Sequence, residues 1–183
     1  MTEPSRLGSR RIYTGRVLNL DIDRVRFPDG SDGDLEIIRH PGASAVVPLL
    51  DEPGAPDPRV VLIRQYRYAA EGFIYEIPAG RLDSGEAPLA CAQRELEEET
   101  GYLAEHFAHL TSILTTPGFT NERIHLFVAW GLTRGEQRHE PDEFLTTRVE
   151  PLSEVLEMIR RGDVPDAKSS IAVLHFAAFG RAG

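Results

Sequence analysis

The chain has 183 residues and a mass of 20.3 kDa, with 41% hydrophobic and 27% charged residues, a composition that excludes a disordered chain and suits one medium domain or a domain with a small appendage. Its formal net charge of -9, from 20 basic and 29 acidic residues, opposes non-specific binding to nucleic acid or to an anionic membrane. An anionic substrate therefore needs local arginines or a metal.

Residues 1–10 read as a frayed arm. From Arg11, RIYTGRVLNLDIDRVRFPDG and SDGDLEIIRH read as about three short strands around a Pro-Asp-Gly turn, because Val, Ile, Leu and Tyr favour strands and Pro-Asp-Gly favours reversal. A sheet that small needs something to pack on. Residues 11–40 are thus expected to form a small N-terminal β subdomain. GASAVVPLL, RVVLIRQYRY and FIYEIPAG follow as strands of a main sheet, the first two separated by the turn-rich DEPGAPDP. Over residues 88–100 the apolar period changes to that of a helix, with Leu89, Ala92, Leu96 and Thr100 on one face. Pro88 suits its first turn and Gly101 its end. HLTSIL and ERIHLFVAWGL read as strands around the loop TTPGFTN, TRGEQRHEPDEFL as a polar loop, and TTRVEP as a strand. LSEVLEMIRRGD reads as an amphipathic helix closed by Gly162, and DAKSSIAVLHFAAFG as a last helix. Strands, then helix, strands and helices imply an α+β architecture, a mixed sheet covered by helices, over residues 41–183.

The single cysteine, Cys91, excludes an intramolecular disulfide. MTEPSRLGSRR has no apolar segment of the signal-peptide kind, and no run of eighteen apolar residues occurs. A cytoplasmic location, without a membrane or nucleic-acid partner, is the expectation. Cys91 reads as buried filler beside Ala92, and the scattered histidines make a weak case for zinc.

The helix over residues 88–100 carries four glutamates between Glu95 and Glu99. Glu95, Glu98 and Glu99 stand at i, i+3 and i+4, so their side chains converge, and each like-charge pair costs roughly 0.2–0.5 kcal/mol when exposed. A solvated acidic face tolerates that penalty. A divalent cation gives it a purpose, because Mg²⁺ takes hard oxygen ligands from a few carboxylates, waters and substrate phosphates. Arg94 can pair with Glu98 one turn on, or turn to hold a loop carboxylate.

From Gly80, five residues lead to Glu86 and seven more to Arg94-Glu95-Leu96, followed by Glu98-Glu99, Gly101 and Tyr102. This pattern resembles the signature box of the Nudix hydrolases, which cleave a nucleoside diphosphate linked to another moiety. The resemblance implies an α/β/α sandwich with the box helix against a mixed sheet, and it extends from about Arg11 to the last helix. It implies metal ligands at the Ala79 carbonyl, Glu95 and Glu99, with Glu98 as a further or shared ligand. Glu86 receives a metal-linked or structural role through water and Arg94. Mg²⁺ is the implied cofactor, with Mn²⁺ as a substitute.

TTPGFTNE places Pro117 sixteen residues beyond Gly101, which resembles the ADP-ribose pyrophosphatase subfamily. YTGRVLNL and VLIRQYRYAAEGFIYEIPAG resemble the same group, whose N-terminal sheet exchanges with a partner, so a homodimer is implied. Arg67 is the first candidate for a pyrophosphate contact and Arg64 the second, since a planar guanidinium matches phosphate oxygens. Arg16 and Val17 match a segment that helps form the adenine pocket in that group, and Phe119 is an aromatic candidate near the base. The general base is implied to be a glutamate in EQRHEPDEFL, with Glu143 as the better match and Glu140 as its rival, while Glu122 of the proline loop is a candidate contact to metal or phosphate. The implied reaction is Mg²⁺-dependent hydrolysis of ADP-ribose to AMP and ribose 5-phosphate. Alternatives are another nucleoside diphosphate sugar, a dinucleotide, or a nucleotide-binding module without hydrolysis.

Overall fold

The computed structural model describes residues 5–137 and 144–180, and the chain divides into two compact units. The first unit is formed by the described residues up to Gly42 together with Leu114–Arg123. It holds an antiparallel sheet of β1 (Ser5–Thr14), β2 (Asn19–Arg26) and β3 (Asp32–Arg39), in that order. The expected arm is therefore a strand from Ser5 onward, and its backbone pairs with β2 from Ser5 opposite Arg26 to Thr14 opposite Asn19. Side chains add to that pairing. The Ser9 hydroxyl donates to Asp23 at 2.6 Å, Arg11 pairs with Asp21, and Arg39 from β3 pairs with both aspartates. Polar residues give little apolar signal of a strand, so these cross-strand ties were hidden in the sequence.

The turn after β2 is the expected Pro-Asp-Gly reversal. Gly30, at φ 89°, donates its N–H to the Phe27 carbonyl at 2.9 Å, in a region of backbone space that glycine enters without a Cβ penalty. The loop 115–121 is bonded to the end of β3. The Ile38 N–H donates to the Phe119 carbonyl at 2.7 Å, and the His40 N–H donates to Asn121 Oδ1 at 2.9 Å.

The second unit comprises 43–113 and the described residues from 124 onward. Its strands are β4 (Ala43–Pro48), β5 (Arg59–Arg67), β6 (Gly72–Glu76), β7 (Ala79–Arg81), β8 (Tyr102–Leu114), β9 (Arg123–Arg134) and β10 (Leu145–Pro151). Four of them form a mixed sheet in the order β7-β4-β9-β8, with β4 parallel to β9 and antiparallel to β7. The others form an antiparallel sheet in the order β10-β5-β6. β8 is longer than the HLTSIL segment that reads as a strand, because residues 102–108 extend it toward the helix end.

The expected strand FIYEIPAG is split between two sheets. β6 ends at Glu76 and β7 begins at Ala79. Pro78 has no N–H to continue a ladder, and its carbonyl accepts the Val46 N–H at 3.0 Å instead.

Helix α1 (Pro88–Thr100) occupies the range read from sequence, with proline in its first turn and Gly101 closing it at φ 68°. Helices α2 (Leu152–Arg161) and α3 (Ala167–Phe179) follow β10. Every residue of β4 is buried, and alternation divides them between two cores. Ala45 and Val47 join Leu152, Val155, Met158, Val173 and Phe176 beneath α2 and α3, whereas Val46 joins Ala92, Leu96 and Phe127 beneath α1. Each fully buried aliphatic side chain contributes about 1.5–3 kcal/mol. The result is helix, sheet and helix in layers, the α+β arrangement expected.

Candidate active site

Helix α1 has no basic residue in its last turn, where Glu97, Glu98 and Glu99 lie. Negative charge at a helix C-terminus opposes the macrodipole as well as itself. Two of the carboxylates are also removed from water, Glu95 at 8% and Glu99 at 1% exposure. A buried carboxylate needs hydrogen bonds or cations, and the structure supplies a small number of each.

Arg94 is the main cation. Its Nε and Nη2 donate to the two oxygens of Glu86 at 2.9 and 3.0 Å, its Nη1 donates to Glu95 and to Glu98, the latter at 3.1 Å, and its Nη2 also reaches the Arg81 carbonyl at 3.2 Å. Both pairings open to Arg94 in the sequence are therefore made at once. The Arg94 fork and the Asp83 N–H hold Glu86 at about 2, and the same carboxylates, Glu86 foremost, raise the Arg94 pKa. One guanidinium thus serves three carboxylates.

Because Glu86 is depressed from 4.5, its contribution to stability is present in full above the unfolded value and is lost as pH falls through about 2. Arg94→Met removes the larger cause and leaves the Asp83 N–H, so stability becomes flatter between pH 4.5 and 2. Urea midpoints measured across that window for both proteins check the sign.

Glu99 Oε2 accepts the Ala79 N–H at 3.0 Å, which ties the helix to β7. Gly80 lies against Glu95: a Cβ there would fall 1.8 Å from Glu95 Oε1. The missing side chain is what lets the carboxylate sit on the backbone. Cys91 is buried, with its Sγ 3.4 Å from the Gly80 carbonyl, and burial pushes its thiol up to about 12. That environment makes it structural and inert as a nucleophile.

With Glu95 and Glu98 turned to Arg94 and Glu99 to Ala79, no group of three or more His, Cys, Asp or Glu side chains is gathered for a metal ion among the described residues. The donor chemistry nonetheless fits a hard divalent cation. It consists of carboxylate oxygens on one helix, two of them buried, against a glycine that leaves room for their approach.

The remaining candidates fall in several places. Arg67, expected to face pyrophosphate, directs Nε and Nη2 to Glu76 at 2.7 and 3.0 Å. This bond raises the Arg67 pKa, with a smaller electrostatic contribution from Glu99. Arg64 lies with its guanidinium carbon 4.3 Å from the Phe73 ring centroid, a cation–π contact. Arg16 and Val17 belong to the first unit, at the turn between β1 and β2, and Val17 is half-exposed. Pro117 and Phe119 belong to that unit as well, as does Glu122, which accepts from Thr115 at 2.9 Å and stands 3.3 Å from His40. Glu140 and Glu143 lie outside the described residues.

Sequence reasoning missed Glu76, Asp166 and Lys168. Glu76 is 1% exposed and contacts both Arg67 and Lys168. A lone acid inside the apolar run FIYEIPA was the available signal for it; nothing local marked Lys168.

The layered fold and the glutamate helix define a class. A model of the NUDIX domain matches residues 39–172, and the chain belongs to that family. It is 42% identical over 173 residues to the methanol dehydrogenase activator of Bacillus methanolicus, covering 93% of this chain and 91% of that one. It is 37% identical over 173 residues, with the same coverage, to the ADP-ribose pyrophosphatase of Bacillus subtilis (strain 168). A crystal structure of an ADP compounds hydrolase shares the fold, with a TM-score of 0.83 and 22% identity over 99% of this chain and 98% of the other.

Proposed function

We propose that the protein hydrolyses the pyrophosphate bond of ADP-ribose, giving AMP and ribose 5-phosphate, with Mg²⁺ as its metal. The observation that carries this reading is the 37% identity, over 93% of the chain, to a relative named ADP-ribose pyrophosphatase. The site agrees with it chemically. Nudix hydrolases generally work with a divalent metal, and here the Ala79 carbonyl, Glu95, Glu98 and Glu99 would hold it. Such an ion, when bound, offsets the charge of the pyrophosphate oxygens and lowers the pKa of a water.

The chain's own residues do the remaining work. Arg94 keeps Glu86, Glu95 and Glu98 together on one side of the helix. Arg64, stacked on Phe73 and without a carboxylate partner among the described residues, is better placed than Arg67 to bind a phosphate oxygen with its fork. Arg67 is committed to Glu76 and contributes positive charge near Glu99. Removal of the water's proton requires a carboxylate within hydrogen-bond reach, and Glu143 or Glu140 fills that role. Arg16, Val17, Pro117 and Phe119 are assigned to adenosine recognition.

The protein acts as a homodimer in the cytoplasm. Leu7, Ile12, Tyr13 and Val17 of the first unit are exposed apolar residues that a second copy would cover. The one cysteine is a buried thiol, which suits a reducing compartment. Among the described residues no helix is long and apolar enough to cross a membrane.

Rates on ADP-ribose, ADP-glucose, GDP-mannose, NADH and diadenosine polyphosphates, compared at matched concentration, test the substrate. ADP-ribose is expected to be fastest. If another member is faster, the metal chemistry stands and the substrate assignment falls. A second reading, action on a dehydrogenase, is favoured by the 42% identical relative; adding the protein to a methanol dehydrogenase assay separates the two.

A further inference from the structure

We propose that Lys168 and Ser169, in the first turn of α3, are positioning residues for the catalytic site, acting through Glu76 and the Ile77 amide to fix the segment that ends at Ala79. This rests on the assignment of Ala79 and Glu99 to the metal.

The segment 76–79 crosses from one sheet to the other, between β6 and β7. Glu76, at its start, is almost fully buried, and a carboxylate there is sustained only by partners on both oxygens. Arg67 of β5 supplies two donors, and the Lys168 ammonium contacts Glu76 Oε2 while also donating to Asp166 at 2.9 Å. Lys168 is 13% exposed, so the pair is shielded from water.

The next residue has its own tie. The Ile77 N–H donates to Ser169 Oγ at 2.9 Å, and that hydroxyl in turn donates to Asp166, the residue that caps α3 by accepting the Ser169 N–H at 3.0 Å. Pro78 has no N–H, but its carbonyl accepts from Val46. Ala79 then donates to Glu99. The α3 end therefore holds the first half of a four-residue segment whose last residue meets the box helix. Loss of a group that hydrogen-bonds a metal ligand costs about 10–100-fold in metal affinity or activity, and Lys168 and Ser169 act one step further back, through Glu76 and the Ile77 amide.

The experiment reads metal affinity and turnover separately. Lys168→Met is expected to weaken binding of Mn²⁺ alone, measured by electron paramagnetic resonance, by about tenfold. It should lower kcat on ADP-ribose by about 10–100-fold with KM changed less than about threefold, since misplacement by an ångström acts on the reacting geometry. Lys168→Arg keeps the charge and should recover most of both. Ser169→Ala, which leaves Glu76 paired, tests the second tie if Lys168→Met fails to fold, and should weaken Mn²⁺ binding in the same direction. Variants that melt earlier yet bind Mn²⁺ and turn over as the parent does would overturn the proposal. If the parent protein leaves ADP-ribose intact while both variants still lose Mn²⁺ affinity, the positioning role stands and the substrate reading fails.

Discussion

Glu99→Gln is expected to lower kcat on ADP-ribose by about 10³-fold without unfolding the protein. The amide oxygen can still accept the Ala79 N–H that Glu99 accepts at 3.0 Å, so the tie between α1 and β7 survives. What disappears is a negative charge at a position 1% exposed to solvent. A bound cation supplies several kcal/mol of charge stabilisation in the transition state, and losing about 4 kcal/mol of it is about a thousandfold in rate. Stability responds in the opposite sense. Neutralising a buried carboxylate removes a desolvation cost, so without metal the variant should melt no lower than the parent. The parent should gain melting temperature on adding Mg²⁺, because a ligand of the folded state stabilises it, and the variant should gain much less. Full activity in Glu99→Gln would remove Glu99 from the metal set.

Gly80→Ala is expected to reduce kcat/KM by about 10²-fold with only a small fall in melting temperature. The new Cβ would lie 1.8 Å from Glu95 Oε1 and 2.0 Å from its Cδ. Those atoms end a flexible side chain, so the collision is relieved by withdrawal of the carboxylate and not by movement of the backbone. Gly80 is not among the positive-φ glycines, and alanine therefore adds no backbone strain. Glu95 leaves its position while Arg94, Glu98 and Glu99 remain, and a displaced ligand costs on the order of a hundredfold when geometry controls the reaction. Thermal melting and steady-state rates on one preparation separate these effects. A variant as active as the parent would show that Glu95 works from some other rotamer.

The parts of the site that were legible in the sequence are those made by one stretch of chain. Helix α1 could be delimited from Pro88 and Gly101 because helix starts and stops are local signals. The convergence of Glu95, Glu98 and Glu99 follows from helical spacing, and the pairing of Arg94 with Glu98 likewise. As a loop glycine, Gly80 admits either a turn or a close approach of the backbone to a ligand. The reason for a glycine there became visible only when Glu95 was found lying on it.

Features that join distant segments were not legible. Arg67 reads as an arginine at a strand end, but strand pairing sets Ile63 opposite Glu76, which puts Arg67 and Glu76 on the same face and within reach of each other. The partner on the other side, Lys168, is 92 residues from Glu76 along the chain. Neither relation leaves a periodic trace. The break in FIYEIPAG was a nearer miss, since Pro78 was visible but a single proline does not say which sheet the next residues enter. Ser5–Arg10 was read as an arm because its polar side chains hid a strand whose partners are Asp23 and the β2 backbone.

Hydrolysis of ADP-ribose by the purified protein in Mg²⁺, with a matched sample in excess chelator and the products separated by ion exchange, is the decisive measurement. AMP and ribose 5-phosphate should form in equal amounts in the first sample and be absent from the second. AMP appearing at the same rate under chelator, or no AMP in either sample, would contradict a metal-dependent pyrophosphatase built on Glu95, Glu98 and Glu99.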